Sequence, residues 1–209
     1  AELQGRLAHD NVVRIFGLAV EDRPGRPPKY GLVLARLHES LSGLLARIAS
    51  GARGAPDEAL PVAWRINAMH ELAAGLAHLH ASRVVHGDLK PANVMLTPPR
   101  TGCVLQITDF GLAREGGTTL GGTTVGGARG TMGVGGIGTV GWMAPELTAL
   151  PAPGAAPARP RYRSDVYAWA VVAYQILACL PSPYPGYNDE QARRAVDAGQ
   201  RPDLGALPR

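Results

Sequence analysis

One long stretch of helical periodicity, residues 60–80, constrains the fold of this chain more than any other feature of its sequence. Its apolar residues recur every three or four positions, which predicts one amphipathic helix with a single buried face. A second stretch, residues 164–180, is apolar nearly all round and is therefore expected at the centre of the domain. The periodic apolar residues of the first stretch are Ile66, Met69, Leu72, Ala73, Leu76 and Leu79.

Two shorter patterns near the start of the chain predict strands. Residues 12–20 and 30–34 are rich in β-branched, aromatic and other apolar side chains, and residues 22–29 between them carry three prolines and one glycine. We therefore expect two paired strands. Small, polar, glycine and proline residues dominate three other segments, which predicts loops or local disorder because such compositions bury little apolar surface. These segments are residues 50–59, 114–138 and 149–160.

Composition fits one globular domain and argues against several functional classes. The 209 residues are 45% hydrophobic and 18% charged, which suffices for one core. The net charge of +4 comes from scattered arginines, so no nucleic-acid partner is expected. The longest apolar stretch, residues 166–180, is too short for a membrane segment. Cys103 and Cys179 lack metal or disulfide spacing, which predicts buried free thiols in a reducing compartment and hence a cytoplasmic location.

Three motifs follow the first helix in a fixed order. The segment V-V-H-G-D-L-K-P-A-N-V-M-L, residues 84–96, matches the pattern H-R-D-x-x-x-x-N except that Gly87 replaces the arginine. D-F-G then occupies residues 109–111, and A-P-E occupies residues 144–146. Each tripeptide alone could arise by chance. Their order and spacing, however, are those of one protein family.

The three motifs resemble those of a eukaryotic-type protein kinase domain. The resemblance implies an α+β, protein-kinase-like fold with a mostly helical C-lobe and a remnant of the N-lobe sheet. Residues 1–34 would form the N-lobe remnant, and residues 35–209 the hinge and a partial C-lobe. Residues 7–13 also resemble the end of the N-lobe helix entering its next strand, and residues 164–169 the start of the central C-lobe helix.

The resemblance assigns a role in phosphoryl transfer to four motif residues. Such transfer depends on positioning and charge neutralisation more than on covalent help. Asp88 would accept the proton of the substrate hydroxyl, and Lys90 would steady the γ-phosphate of ATP. Asn93 and Asp109 would hold Mg²⁺, which prefers such oxygen ligands. The alternative for a lone Asp or Asn is a side chain that caps a turn.

Four further positions gain a role from the resemblance alone. Leu34 would fall at the gatekeeper position and Leu37 at the hinge, where backbone groups would meet the adenine of ATP. The alternative at both positions is a plain core leucine. Asp165 would brace the backbone of the catalytic loop. Thr139 would line the substrate-binding loop, or else be an ordinary hydrogen-bonding loop threonine.

Details of the motifs favour one kinase group. Lys90 followed by Pro91 is typical of serine/threonine kinases, and residues 138–143 resemble the tyrosine-kinase-like group. The resemblance thus predicts a signalling serine/threonine kinase that transfers phosphate from ATP, with Mg²⁺, to a protein substrate.

Departures from the family pattern favour a competing hypothesis, a pseudokinase or a C-lobe interaction module without catalysis. The chain contains only two lysines, and Lys29 falls too late to grip the α- and β-phosphates. The glycine-rich loop and the ion pair between the phosphate-gripping lysine and its glutamate partner are also missing, as are the last helices of the C-lobe. The chain therefore looks truncated at both ends and is expected to be inactive alone. Gly87 replaces an arginine that in many kinases clamps a phosphate on the activation loop. Glu146 is expected to lack its family arginine partner.

Overall fold

The computed structural model describes residues 7–51, 60–98, 103–109, 140–149 and 158–207, with the backbone of residues 114–115 and 118–119. The strands are β1 Ile15–Glu21, β2 Lys29–Leu34, β3 Glu39–Ser40, β4 Val84–Val85, β5 Val94–Leu96, β6 Leu105–Ile107, β7 Arg114–Glu115 and β8 Thr118–Thr119. The α-helices are α1 Leu41–Ala49, α2 Val62–Ala81, α3 Pro145–Thr148, α4 Tyr162–Ala178 and α5 Asp189–Asp197. Short 3-10 turns occupy Pro91–Asn93, Val140–Trp142 and Leu204–Ala206.

Helix α2 is the long amphipathic helix that the periodicity predicts, shifted by two residues at its start and one at its end. Pro61, in an extended conformation, precedes the helix, and its fixed φ suits the residue that enters a first turn. The apolar face carries Leu72, Leu76 and Leu79, all of which are buried in the main core.

Helix α4 is the predicted central helix. Val172 and Ile176 are fully buried in the same core cluster as α2. The Ser164 hydroxyl accepts a hydrogen bond from the Arg161 backbone N–H and so closes the first turn. Cys179 ends the helix with a left-handed φ of 52°. Cys103 and Cys179 are free thiols, as predicted, but they are half-buried rather than buried.

Strands β1 and β2 pair antiparallel, as the sequence predicts, from Ile15 opposite Leu34 to Glu21 opposite Lys29. The chain segments that enter and leave this two-stranded ribbon are both hydrogen-bonded to the sheet β3-β5-β6. The N–H of Val13 donates to the Ile107 carbonyl at 2.9 Å, and the N–H of His38 donates to the Leu96 carbonyl at 2.8 Å. The ribbon is therefore attached to β5, which ends the first motif, and to β6, which comes just before D-F-G.

Strands β7 and β8 lie within residues 114–138, which the composition predicts to be a loop. Arg114 and Glu115 pair with β4, so the loop prediction is wrong for these short strands. Backbone pairing to a neighbouring strand needs no apolar periodicity, and the composition of the segment therefore gives no sign of it. The rest of that segment, and most of the other two predicted loops, lie outside the described residues.

None of the helices in the described part of the chain combines the length and hydropathy that crossing a bilayer requires.

The segment before β1 is held closely against α2. A Cβ atom added at Gly75 would lie 2.6 Å from the backbone oxygen of Asn11, so only glycine allows this approach. The Asn11 amide in turn donates to the Leu105 carbonyl at 3.0 Å, and the ring of His9 stacks on His78. Gly75 thus allows the segment before β1, helix α2 and strand β6 to pack together at one point.

Replacing Gly75 with alanine is expected to lower the free energy of unfolding by about 1–2 kcal/mol, because overpacking against Asn11 outweighs the helix propensity gained. Urea unfolding of the complete protein measures this. Gly31→Ala is the matched control, since nothing lies within 4 Å of a Cβ at that position. A Gly75→Ala variant as stable as the control would contradict the close approach.

Candidate functional site

The catalytic-loop motif connects β4 to β5, and a single buried carboxylate holds its backbone. Asp165, on α4, is 1% exposed. One of its oxygens accepts the N–H of His86 at 2.9 Å, and the other accepts the N–H of Gly87 at 2.9 Å. The Nε2 atom of His80 lies 2.9 Å from the first oxygen. The predicted contact of Asp165 with this backbone is present, and it satisfies a charge that would otherwise be costly to bury.

The imidazole of His86 links the loop to the D-F-G segment. Its side chain is fully buried, and its Nδ1 accepts the N–H of Asp88 at 3.2 Å. In the neutral ring the proton is then on Nε2, which donates to the Thr108 carbonyl at 2.9 Å. Thr108 immediately precedes Asp109. The ring thus fixes the spacing between the two motifs.

Asp88, Lys90 and Asn93 come together in the structure. Lys90 Nζ lies 2.8 Å from Oδ2 of Asp88. The Asn93 amide nitrogen donates to the same Oδ2 at 3.1 Å and to the Asp88 backbone oxygen at 2.8 Å. Oδ1 of Asp88 is buried and has no hydrogen-bond partner among the described residues. An unpaired buried carboxylate oxygen can accept a hydrogen bond, and then a proton, from a hydroxyl group brought to it.

Asn93 and Asp109 lie at the ends of paired strands. The Asn93 backbone oxygen accepts the N–H of Thr108 at 2.9 Å, which brings the residue after Thr108 close to Asn93. Asp109 has an exposed side chain and a left-handed φ of 60°, which costs energy at a non-glycine residue. Because the amide nitrogen of Asn93 is turned to Asp88, its amide oxygen points away from that carboxylate. The oxygen atoms of Asn93 and Asp109 are a donor set that suits Mg²⁺.

Gly87 adopts a left-handed φ of 81° between two residues whose positions are fixed. A side chain at this φ would be strained by about 1 kcal/mol. The glycine that departs from the H-R-D pattern therefore fits the backbone of this loop.

Leu34 and Leu37 lie apart from this cluster, on the segment that returns from the ribbon to β3. Leu34 ends β2 and is 41% exposed in the described part of the chain. Leu37 is half-buried, next to His38, which is tied to β5. Thr139, predicted in the substrate-binding loop, lies outside the described residues.

The A-P-E segment forms a wall beside Asp88. A cavity of about 20 Å³ separates the catalytic loop from residues 142–144 and the start of α4. The Trp142 indole N–H donates at 2.6 Å to the side chain of Gln175, which is fully buried in α4. Sequence reasoning missed this anchor, although a glutamine inside an apolar helix is itself a signal, since a buried amide needs partners.

The same wall is packed from the C-terminal side. A Cβ atom at Gly141 would lie 3.0 Å from Cγ of Pro183, so a side chain there would require Pro183 to shift by a few tenths of an ångström. The neighbouring Tyr184 is buried, and burial raises the pKa of its phenol. A phenol is protonated at neutral pH even without this shift, so Tyr184 adds no charge beside the A-P-E segment.

Comparison with known proteins gives matches over nearly the whole chain. A family model described as protein tyrosine and serine/threonine kinase matches residues 1–206. The chain is 29% identical to the probable serine/threonine-protein kinase drkD of Dictyostelium discoideum, over 96% of this chain and 13% of that protein. It is 30% identical to human receptor-interacting serine/threonine-protein kinase 1, over 98% of this chain and 28% of that protein. The chain is 31% identical to the mouse non-receptor tyrosine-protein kinase TNK1, over 87% of this chain and 23% of that protein. The chain spans less than a third of each relative.

Replacing Asp165 with asparagine is expected to lower the free energy of unfolding by about 2–3 kcal/mol, because an NH₂ group then faces a backbone N–H donor. Chemical denaturation of the complete protein measures the change. Asp22→Asn, in the exposed turn between β1 and β2, removes the same charge and is the control. Equal midpoints for the two variants would show that the carboxylate does not hold the loop.

Proposed function

We propose that this chain, which belongs to the protein tyrosine and serine/threonine kinase family, is the catalytic part of a serine/threonine kinase. It would transfer the γ-phosphate of ATP to a serine or threonine hydroxyl of a protein substrate. Membership of the family implies ATP and a divalent metal. The observation that carries the proposal is the arrangement at Asp88, where Lys90 and Asn93 hold one carboxylate oxygen and the other is buried without a partner among the described residues.

The roles of the residues follow from this arrangement. Asp88 uses Oδ1 to accept the hydroxyl proton of the substrate as the hydroxyl oxygen attacks phosphorus. Lys90 fixes the orientation of Asp88 through its ion pair and would use its charge to steady the transferring phosphate. A carboxylate held by two partners needs little reorganisation during transfer, which is the main contribution a protein can make to this reaction.

Mg²⁺ is proposed as the divalent metal. Asn93 would offer its amide oxygen and Asp109 its carboxylate, and the metal would supply charge neutralisation at the phosphates. The strained backbone of Asp109 supports this reading, because left-handed non-glycine residues concentrate at functional sites.

The nucleotide end of the site is proposed to lie between the ribbon and β5. Leu34 would act as gatekeeper and Leu37 as hinge residue, and Thr139 would contact the substrate. Residues 1–34 would then be the N-lobe part, and residues 35–209 the hinge and C-lobe. Leu34 and Leu37 lie at the end of β2 and between β2 and β3, on the segment that joins the ribbon to the sheet with β5, which supports placing the nucleotide there.

Acceptor preference rests on sequence rather than on the relatives. Two of the three relatives described above are named serine/threonine kinases, and one is named a tyrosine kinase. Lys90 followed by Pro91 favours serine and threonine, and residues 138–143 favour the tyrosine-kinase-like group.

A docking module without catalysis is the second candidate. Lys29, one of only two lysines, begins β2 opposite Glu21 at the far end of the ribbon. It cannot serve as the lysine that grips the α- and β-phosphates. Gly87, in place of the arginine of H-R-D, favours the module, whereas the assembled cluster at Asp88 favours the enzyme.

Replacing Asp88 with asparagine is expected to reduce phosphate transfer by about 10²–10⁴-fold, because the substrate proton loses its acceptor. The assay follows labelled phosphate from Mg·ATP to serine/threonine and tyrosine peptides with the complete protein. Asp22→Asn is the control. Serine/threonine transfer that is lost only in Asp88→Asn supports the enzyme. Absence of transfer to every peptide, with no thermal shift on adding ATP, would establish the module instead.

Replacing Asp109 with asparagine is expected to weaken Mg²⁺-dependent ATP binding by at least about tenfold, since even the loss of an outer-shell metal partner costs 10–100-fold. Titration calorimetry with and without Mg²⁺ measures this. The effect should vanish when the metal is chelated. Equal loss of ATP affinity in chelator would mean that Asp109 contacts the nucleotide or the fold rather than the metal.

A further inference from the structure

A single buried amide on the central helix holds the residues that precede the A-P-E motif. The side chain of Gln175 is fully buried in α4. Its Oε1 accepts the indole N–H of Trp142 at 2.6 Å, and its Nε2 donates to the Leu180 carbonyl at 3.2 Å. Because an indole N–H can only donate, the amide atom that faces it must be the oxygen. Both ends of the amide are therefore fixed in orientation.

Gln175 is also held by its own backbone. The N–H of Leu180 donates to the Gln175 backbone carbonyl at 3.1 Å, so these two residues are joined by two hydrogen bonds. An amide that loses a partner in this buried position leaves a polar group unsatisfied, which is unfavourable away from water. Gln175 is thus a firm point of attachment for the indole of Trp142.

The segment that leads into and includes the A-P-E motif, residues 140–148, is here called the A-P-E wall. It is attached to neighbouring elements at both of its ends. At one end, Gly141 lies against Pro183, which would be 3.0 Å from an added Cβ atom. At the other end, the buried Thr148 donates its hydroxyl hydrogen to the carboxylate of Asp197 on α5. The indole bond to α4 lies between these two attachments.

One helix therefore positions both the catalytic loop and the A-P-E wall. Near the start of α4, Asp165 accepts the N–H groups of His86 and Gly87. Gln175 follows ten residues later on the same helix and binds Trp142. An α-helix is a stiff element with a fixed rise per residue, so the two anchors keep a constant separation. The distance between the loop and the wall is then set by α4.

The A-P-E wall lies directly beside the carboxylate proposed to accept the substrate proton. Trp142 and Asp88 line the same cavity, whose volume is about 20 Å³. A cavity of this size holds about one water molecule, so the two residues are close neighbours. Successive residues of an extended peptide are about 3.3 Å apart. A substrate hydroxyl that reaches Oδ1 of Asp88 therefore brings the flanking residues of its peptide up to the wall.

We infer that Gln175 is a positioning residue for the protein substrate, and that it acts through Trp142. The inference rests on the proposed kinase function. Without the bond to Gln175, the A-P-E wall occupies its binding position in only a fraction of the molecules, and the apparent affinity for the peptide falls in proportion to that fraction. The nucleotide is proposed to bind elsewhere, between the ribbon and β5, so the affinity for ATP is not expected to change.

The test measures steady-state phosphate transfer from Mg·ATP to a serine peptide with the complete protein, and gives kcat, the KM for peptide and the KM for ATP. Gln175→Met keeps the length of the side chain and removes both hydrogen-bonding groups, whereas Trp142→Phe removes the indole N–H. Each variant is expected to raise the peptide KM roughly five- to tenfold, the effect of one unsatisfied buried hydrogen-bonding group. The kcat and the KM for ATP should stay unchanged, because only binding of the peptide is weakened.

Trp169→Phe is the matched control, since it also removes an indole N–H that contributes to the packing of α4. The Trp169 indole donates to the Met69 carbonyl of α2 at 3.4 Å, so the bond joins α4 to α2 rather than to the A-P-E wall. The peptide KM of this variant should equal that of the unchanged protein. Urea unfolding of each variant establishes that the kinetics are measured on folded protein.

Two further variants test whether Gln175 and Trp142 act through one bond. Gln175→Glu should keep the peptide KM near its original value, because burial favours the neutral carboxyl group. Its carbonyl oxygen can then accept the indole N–H while its O–H donates to Leu180. The double variant Gln175→Met with Trp142→Phe should show a peptide KM no higher than the larger of the two single variants, since both remove the same contact.

The outcomes separate this inference from the proposed function. Equal peptide KM values in Trp142→Phe and Trp169→Phe, or an equal rise in the KM for ATP, overturn the positioning role while the kinase function stands. Increases that multiply in the double variant overturn it as well. A purely structural Gln175 predicts a lower unfolding midpoint with an unchanged peptide KM. Absence of transfer by the unchanged protein to every peptide contradicts the kinase function, and the positioning role is then rejected with it.

Discussion

The carboxylate of Asp165 is the interaction on which the rest of the site depends. It comes from the central helix, is almost fully buried, and accepts the N–H groups of two consecutive residues of the loop. A charge at this depth is tolerated only because those donors, with His80, replace water. The same bonds prevent the loop between β4 and β5 from relaxing, since any movement would leave the charge unpaired.

The other residues of the site are positioned by short contacts that begin at the loop held by Asp165. His86 is hydrogen-bonded to the Thr108 carbonyl and so fixes the position of the D-F-G segment. Lys90 and Asn93 both bind one carboxylate oxygen of Asp88. Catalysis of phosphoryl transfer depends mainly on groups that are positioned before the reaction, because the reaction needs little covalent help from the protein. The cluster is assembled through contacts within the chain itself, which is the property a preorganised site requires.

Much of the scaffold could be predicted from the sequence, because apolar periodicity is a local signal. It located α2 and α4 to within two residues, and the motif spacing identified the loop that carries Asp88. Other features depend on contacts between residues that are distant in the sequence, and such contacts leave no periodic pattern of apolar residues. The bond from Trp142 to Gln175 is one example, and the approach of Gly75 to Asn11 is another.

Amide hydrogen exchange of His86 and Gly87, followed by NMR on the complete protein without nucleotide, tests the central claim most directly. If Asp165 holds the loop in the free protein, both amides should exchange as slowly as the core amides of α2, through global unfolding. Exchange of these two amides at the rate of the exposed turn between β1 and β2 would contradict the claim, and would mean that the loop is ordered only when a ligand binds.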